Sequence, residues 1–298
     1  MWEISLFGGT TVRVGDRVVT GGRLGGVKPR RLLEALALTP GRAVSKEVLA
    51  DRLWGENPPR SYVATLESYV CVLRRSVGAP GGRDSWLATT PGGYLLDPRL
   101  VSVDLAEARH ALRCAPDSET AVAVRLTEAA VGLDEQGLLV ESAGDHWVDA
   151  VRRDFTAKVV AACVHTADRC LDERELVVAA RLAREALRRD PFAEAAVQVL
   201  LRALTAQGRR SEAIRVFRDF RRLLVDELGI DPDTETLAAY LDVLRRRGGH
   251  TEERRSGESE ARLLLELLRQ ALESTGLHVG TDTDLAMRAL ARHLHVAA

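Results

Sequence analysis

The sequence predicts a mainly α protein: an N-terminal winged helix of α+β type, followed by an all-α, tetratricopeptide-like helical domain. Three observations predict it. Short apolar runs of period two, broken by glycine, fill the beginning of the chain. A helix–turn–helix pattern and a hairpin signature follow them. From residue 103 onward the periodicity is helical and repeats itself at an offset of 34 residues.

The elements follow in order. Runs at 4–7, 11–14 and 17–20 alternate apolar and polar residues, so they predict a small antiparallel sheet that ends in the glycine-rich loop 21–26. Pro29 suits the first turn of a helix, and Leu32, Leu33 and Leu36 give that helix its apolar stripe. Ser45 is an N-cap for a helix over 46–53, which Trp54-Gly55 closes. Pro58-Pro59 forces a turn before a longer helix over about 61–77. Trp86-Leu87-Ala88-Thr89 and Tyr94-Leu95-Leu96 then flank Thr90-Pro91-Gly92-Gly93, the signature of a hairpin that would form the wing.

Beyond the hairpin, Ala179, Ala183 and Ala186 recur as Ala213, Phe217 and Phe220. Small residues let two helices approach, and larger ones fill the groove beside them. Two helical units are predicted, at 160–191 and 194–225, with Asp190-Pro191 ending the first. The polar, glycine-containing stretch 247–258 reads as a linker. After it, an amphipathic helix over 259–274 carries Leu264, Leu267, Leu268 and Ala271 on one stripe, and a second helix over 284–295 follows Thr283. The expected organisation is a winged helix at 1–97, a helical domain at 98–246, a linker at 247–258 and a helical extension at 259–298.

Composition narrows the function classes. The chain has 298 residues, 46% hydrophobic and 29% charged, enough for both cores and a soluble surface. No stretch approaches the roughly 20 apolar residues of a membrane helix, and the chain opens as a strand with no signal core, so a cytoplasmic protein is expected. There are 39 arginines and 3 lysines, a bias expected of a GC-rich bacterial genome. The net charge is −1, yet residues 1–97 carry 13 basic against 9 acidic residues, and the remainder 29 against 34. A basic head on an acidic body points toward a polyanion. Cysteines 71, 114, 163 and 170 form no CxxC pair, so neither a disulfide framework nor a zinc ribbon is expected; Cys163 and Cys170 read as small core residues. The loop 21–28 fails as a phosphate loop, because Val27 follows the last glycine and Pro29 stands where a hydroxyl would bind magnesium. His293 and His295 lie two apart on a helix and face apart, which argues against a metal site. No constellation suggests catalysis, and neither cofactor nor metal is expected.

Several strings carry a family likeness. Val27-Lys28-Pro29-Arg30-Arg31-Leu32-Leu33, Gly41-Arg42-Ala43-Val44-Ser45, Leu53-Trp54-Gly55-Glu56-Asn57-Pro58-Pro59, Tyr69-Val70-Cys71-Val72-Leu73-Arg74-Arg75 and Pro91-Gly92-Gly93-Tyr94 lie in the head. Asp190-Pro191-Phe192-Ala193-Glu194, Gly208-Arg209-Arg210-Ser211-Glu212-Ala213 and Asp226-Glu227-Leu228-Gly229-Ile230-Asp231-Pro232 lie in the body. Together, over about 3–246, they resemble the Streptomyces antibiotic regulatory protein family, with its winged helix and bacterial transcriptional activation domain. The resemblance implies an activator of an antibiotic or other secondary-metabolite gene cluster. It also implies binding to direct repeats in double-stranded promoter DNA as a homodimer, and recruitment of RNA polymerase holoenzyme.

The residues suggest how DNA would be held. In the helix over 61–77, Leu66, Val70, Leu73 and Val77 form the buried stripe, which turns Thr65, Ser68, Tyr69, Val72 and Arg75 toward a major groove. Hydroxyls bond phosphates or base edges, Arg75 pairs with phosphate or guanine, and Val72 suits a thymine methyl. The family usually shows Ser-Arg where this chain has Cys71-Val72, so a guanidinium is lost from that stripe. Lys28, Arg30 and Arg31 are placed to reach phosphates, and Thr89, Thr90 and Tyr94 to approach the backbone from the wing, with packing beneath the wing the equal alternative for Tyr94. Two other functions stay open on the sequence: a protein-interaction scaffold with a degenerate winged helix, and an effector sensor with a pocket among the helices.

Overall fold

The computed structural model describes residues 1–78 and 85–245, which lie within one compact unit, Met1–Arg246. The expected linker at 247–258, the helices at 259–274 and 284–295, and His293 and His295 lie outside the described residues.

The chain opens with β1 (Trp2–Ser5), β2 (Thr11–Val14) and β3 (Arg17–Thr20). The first strand begins two residues earlier than its apolar run suggests, because Leu6 and Phe7 turn inward as the chain leaves the sheet. The sheet order is β3-β2-β1-β7, and β7 (Val101–Val103) runs parallel to β1. Val103, Ile4, Val12 and Val19 face one another across the four strands, and all are buried. Such a row of β-branched pairs on one face holds the register. β7 was not apparent in the sequence; it carries the sheet past residue 97.

The helices of the head come next: α1 (Val27–Ala37), α2 (Lys46–Trp54) and α3 (Tyr62–Val77). Ser45 caps α2 as its residue type predicts, its hydroxyl accepting from Val48 N at 3.3 Å. Leu66, Val70, Leu73 and Val77 are the buried face of α3. β5 (Leu87–Thr90) and β6 (Gly93–Leu96) form the hairpin, and the short β4 (Val44–Ser45) pairs with β6 on its other side. Gly93 serves close approach rather than turn geometry, since a Cβ there would lie 1.9 Å from Val44 O.

The body is helical throughout the described residues: α4 (Asp104–Cys114), α5 (Thr120–Gln136), α6 (His146–Asp172), α7 (Leu176–Arg189), α8 (Glu194–Ala206), α9 (Arg210–Leu228) and α10 (Thr234–Arg245). The 34-residue echo falls on matching helices. Ala179, Ala183 and Ala186 are buried in α7, and Ala213, Phe217 and Phe220 are buried in α9. Phe217 stacks on Tyr240 of α10 with ring centroids 3.8 Å apart. Cys163 and Cys170 are buried in α6, and burial pushes the Cys163 thiol up to about 12. No described helix is long and apolar enough to cross a membrane.

Head and body are joined by more than the peptide chain. Asp104, at the start of α4, accepts from the Leu6 amide at 2.9 Å and the Phe7 amide at 3.3 Å; burial raises its pKa, and these bonds oppose the rise. The segment between α5 and α6 lies along the head as a strap. Gly8 N donates to Gly137 O at 3.0 Å and Leu139 N to Leu6 O at 2.8 Å, which makes a bridge between Phe7 and Leu138. Leu139 holds a left-handed φ of 53°, and Arg152 of α6 secures the turn by donating to Leu138 O and Leu139 O at 2.6 and 2.8 Å.

Candidate nucleic-acid interface

The outward surface of the head is built on α3. Burying Leu66, Val70, Leu73 and Val77 leaves Ala64, Glu67, Ser68, Cys71 and Arg75 exposed on the opposite side. Ser68 and Arg75 stand where the sequence places them, and Arg75 makes no ion pair among the described residues. Thr65, Tyr69 and Val72 sit on the shoulder of this face and are half-buried. The Thr65 hydroxyl donates to Ser61 O at 3.0 Å.

Two neighbours explain the shoulder. Tyr69 stacks on Trp54, at the end of α2, with centroids 6.2 Å apart. Val72 lies against the turn before α1: a Cβ built on Gly25 would come within 2.1 Å of Val72 Cγ1, and Gly25 has a φ of 95°. Helical angle alone points Val72 outward, but that turn leans over it. Cys71 is the exposed member of the Cys71-Val72 pair.

The wing is fastened to α3 by Arg74, which sequence reasoning missed. Its Nε and Nη2 donate to Leu87 O at 3.1 and 2.6 Å, and Nη2 also reaches Thr89 Oγ1 at 2.9 Å. Thr89 stays exposed and Thr90 half-exposed at the tip. Tyr94 takes the second of its two expected places, which corrects its assignment to the DNA surface: it is 2% exposed, packed beneath the hairpin, with Lys46 Nζ 5.9 Å from its ring centroid. Burial raises its pKa, and its ring is withdrawn from the surface. Lys46 also pairs with Glu67 at 2.7 Å, which raises the lysine pKa. The cation thus ties α2, α3 and the wing together.

The basic residues of α1 divide. Arg30 is a second correction: it is not a surface cation. Its Nε lies 3.4 Å from Glu34 and 3.3 Å from Glu141 of the strap, and its Nη2 donates to Glu141 O at 3.2 Å. Glu34 is fully buried and also accepts from Thr10 Oγ1 at 2.6 Å and Ser142 Oγ at 2.5 Å. Arg31 pairs with Asp145 at 2.9 Å. Lys28 donates to Leu53 O and lies 5.6 Å from the Trp54 ring centroid; desolvation lowers its pKa, with Arg31 contributing. Lys28 therefore adjoins α3 through the Trp54–Tyr69 stack, whereas Arg30 and Arg31 pair across the join with carboxylates of the body. That join continues in α6, where Trp147 Nε1 donates to Arg52 O at 3.1 Å. Glu141 and Asp145 lie more than a hundred residues from α1, so no local signal marks them; Glu34, four residues on from Arg30, is the local partner.

The arrangement offers a helix face of small and polar side chains, one exposed guanidinium, and a pinned wing beside it. An α-helix of this kind fits a major groove, and the wing tip then lies against the phosphate backbone. Among the described residues, no group of three or more His, Cys, Asp or Glu is placed to hold a metal.

Comparison with known proteins places two family matches along the chain. Residues 25–96 match the family "transcriptional regulatory protein, C terminal", and residues 101–244 match the "bacterial transcriptional activator domain". The regulatory protein DnrI of Streptomyces peucetius is 30% identical over 237 residues, which are 74% of this chain and 85% of that protein. The regulatory protein AfsR of Streptomyces griseus is 29% identical over 238 residues, 74% of this chain but only 22% of AfsR. Among solved structures, Mycobacterium tuberculosis EmbR, in complex with a low-affinity phosphopeptide, superimposes with a TM-score of 0.69 at 24% identity, over 90% of this chain and 71% of that one. That likeness carries the fold.

Proposed function

The chain belongs to the Streptomyces antibiotic regulatory protein family, and from that premise we propose that it is a sequence-specific transcriptional activator working on duplex promoter DNA. The observation that carries the reading is the exposed face of α3, bearing Ser68, Cys71 and Arg75, with the wing pinned beside it by Arg74. In this reading α3 enters the major groove, and Arg75 pairs with guanine or phosphate. Thr65, Tyr69 and Val72 line the shoulder of the groove. Lys28, Arg31, Thr89 and Thr90 meet phosphates on either side, which fixes register without reading sequence.

The helical body, matched to the activator domain family, supports recruitment of RNA polymerase holoenzyme at the bound promoter. The target is a secondary-metabolite gene cluster, read at direct repeats by two copies of the chain. The role is that of a cytoplasmic regulator, not of an enzyme. Selection of duplexes from a random pool, followed by titration of the winner between 50 and 300 mM salt, tests the reading on a scale of about tenfold steps in affinity. Specific binding that weakens steadily with salt is expected. Failure to retain any duplex at low salt would replace it with a protein-interaction scaffold, for which DNA binding is not required.

A further inference from the structure

We propose that Asp145, a residue of the helical body, occupies Arg31 as a stand-in for a DNA phosphate and so sets the affinity of the head for DNA. The inference rests on the DNA-binding reading above and extends it to a residue outside the head.

Three observations carry it. Arg31 and Asp145 lie 2.9 Å apart at the rim of the head–body join, with side chains only 22% and 20% exposed. A half-buried guanidinium beside the cationic Lys28 favours a counter-charge, and Asp145 is the carboxylate that Arg31 pairs with. Second, the pair is close but not aligned: neither Arg31 Nε nor Asp145 Oδ2 has a hydrogen-bond partner. An unaligned contact lacks the added strength of a bidentate arginine–carboxylate pair, and a phosphate offering well-directed oxygens can displace it. Third, Asp145 stands at the N-cap position of α6 with the extended backbone of a cap (φ −79°, ψ 125°), yet its carboxylate accepts no cap hydrogen bond. The side chain is therefore held away from the partner its own position provides. Once Arg31 turns to DNA, that carboxylate can rotate toward the first turn of α6, where Val148 N now donates to Asp145 O at 2.9 Å and the helix start favours a negative charge.

Arg31 is thereby an exchangeable cation. Arg30, its neighbour in the sequence, is not, because Glu34 and Glu141 enclose it. Lys28, one turn before Arg31 on α1, lies over Trp54, and Trp54 stacks on Tyr69 of α3, so this end of α1 neighbours the DNA face.

The experiment uses the full chain and a fluorescent random-sequence duplex of about 20 base pairs, titrated by anisotropy across a salt series. Asp145→Ser removes the charge and retains a capping hydroxyl; Asp145→Asn, the isosteric change, is measured beside it. Both variants should bind the duplex several-fold more tightly than the parent at low salt, because Arg31 no longer has to leave a carboxylate before it meets a phosphate. Their salt slope should match the parent's, since the phosphates neutralised in the complex are the same. In an Arg31→Ala background the same change at 145 should have no effect. A merely structural role predicts the opposite sign, weaker binding together with lower stability. Parent-like or weaker binding by folded Asp145→Ser and Asp145→Asn, while the parent binds DNA, overturns this inference alone. A parent that binds no duplex overturns the DNA-binding reading and this inference with it.

Discussion

Arg30→Ala separates a phosphate-binding arginine from one that holds the molecule together. The Glu34 side chain is 0% exposed and that of Arg30 only 10%. Removing one partner of a buried ion pair costs about 3–5 kcal/mol, because the remaining charge keeps its desolvation penalty without its counter-ion. Glu34 retains the hydroxyls of Thr10 and Ser142, which places the carboxylate's loss near the lower bound, at about 3 kcal/mol. The bond from Arg30 Nη2 to Glu141 O disappears as well, adding about 1 kcal/mol. For a unit of this size, about 2–4 °C per kcal/mol translates the total into a melting temperature lowered by about 8–16 °C.

Thermal and urea unfolding of the purified variant read the stability, and DNA titrations below its melting range read the salt slope. The expected result is a large loss of stability with the parent's slope. Arg30→Lys should fall between, since an ammonium keeps the charge but not the fork that spans two carboxylates. A variant that melts with the parent and shows a slope shallower by about 0.9 would refute the buried-pair reasoning and return Arg30 to the DNA surface.

Three further outcomes are expected. Gly25→Ala should destabilise the head by about 2–3 kcal/mol in urea titration, because Gly25 has a φ of 95° and the new Cβ would lie 2.1 Å from Val72 Cγ1. Arg74→Ala should cost about 1–2 kcal/mol of stability in urea titration, as the wing loses its bonds from Arg74 to Leu87 O and Thr89 Oγ1, and should also weaken duplex binding measured by anisotropy below the melting range. Asp97→Asn bears on acid stability: hydrogen bonds from Arg99 lower the Asp97 pKa from 3.8 to about 2. The carboxylate therefore contributes stability above 3.8 that is lost as pH falls toward 2, and the variant's stability should fall less steeply across that window.

What was legible in the sequence was local. Ser45 caps α2 because its hydroxyl needs only an amide three residues on. The stripe Leu66, Val70, Leu73, Val77 is buried because helical spacing alone puts these residues on one face. The 34-residue echo was readable for the same reason, as the alanines of α7 and their counterparts in α9 answer to neighbouring helices. Illegible were features whose partners lie far along the chain. β4 and β7, with two and three residues, are too short to show a period, and β7 is specified by its pairing with β1 about a hundred residues earlier. Tyr94 follows a turn signature that suits an exposed tip, yet β4 and Lys46 cover it.

The candidate interface suffers most from this blindness, because a surface cation and a buried one look alike in sequence. Residues 1–97 hold 13 basic and 9 acidic residues, an excess of four. Two of those cations, Arg30 and Arg31, are engaged by Glu141 and Asp145, carboxylates from beyond residue 97. With both pairs intact, the excess that a polyanion meets is about half of what the head's own composition suggests, and Arg31 restores part of it only by leaving Asp145. Since sequence-independent affinity grows with the number of phosphates neutralised, a head held in this way binds DNA at large weakly. Its affinity for a chosen site must then come chiefly from the α3 face, where Ser68, Cys71 and Arg75 are exposed and unshared with the body.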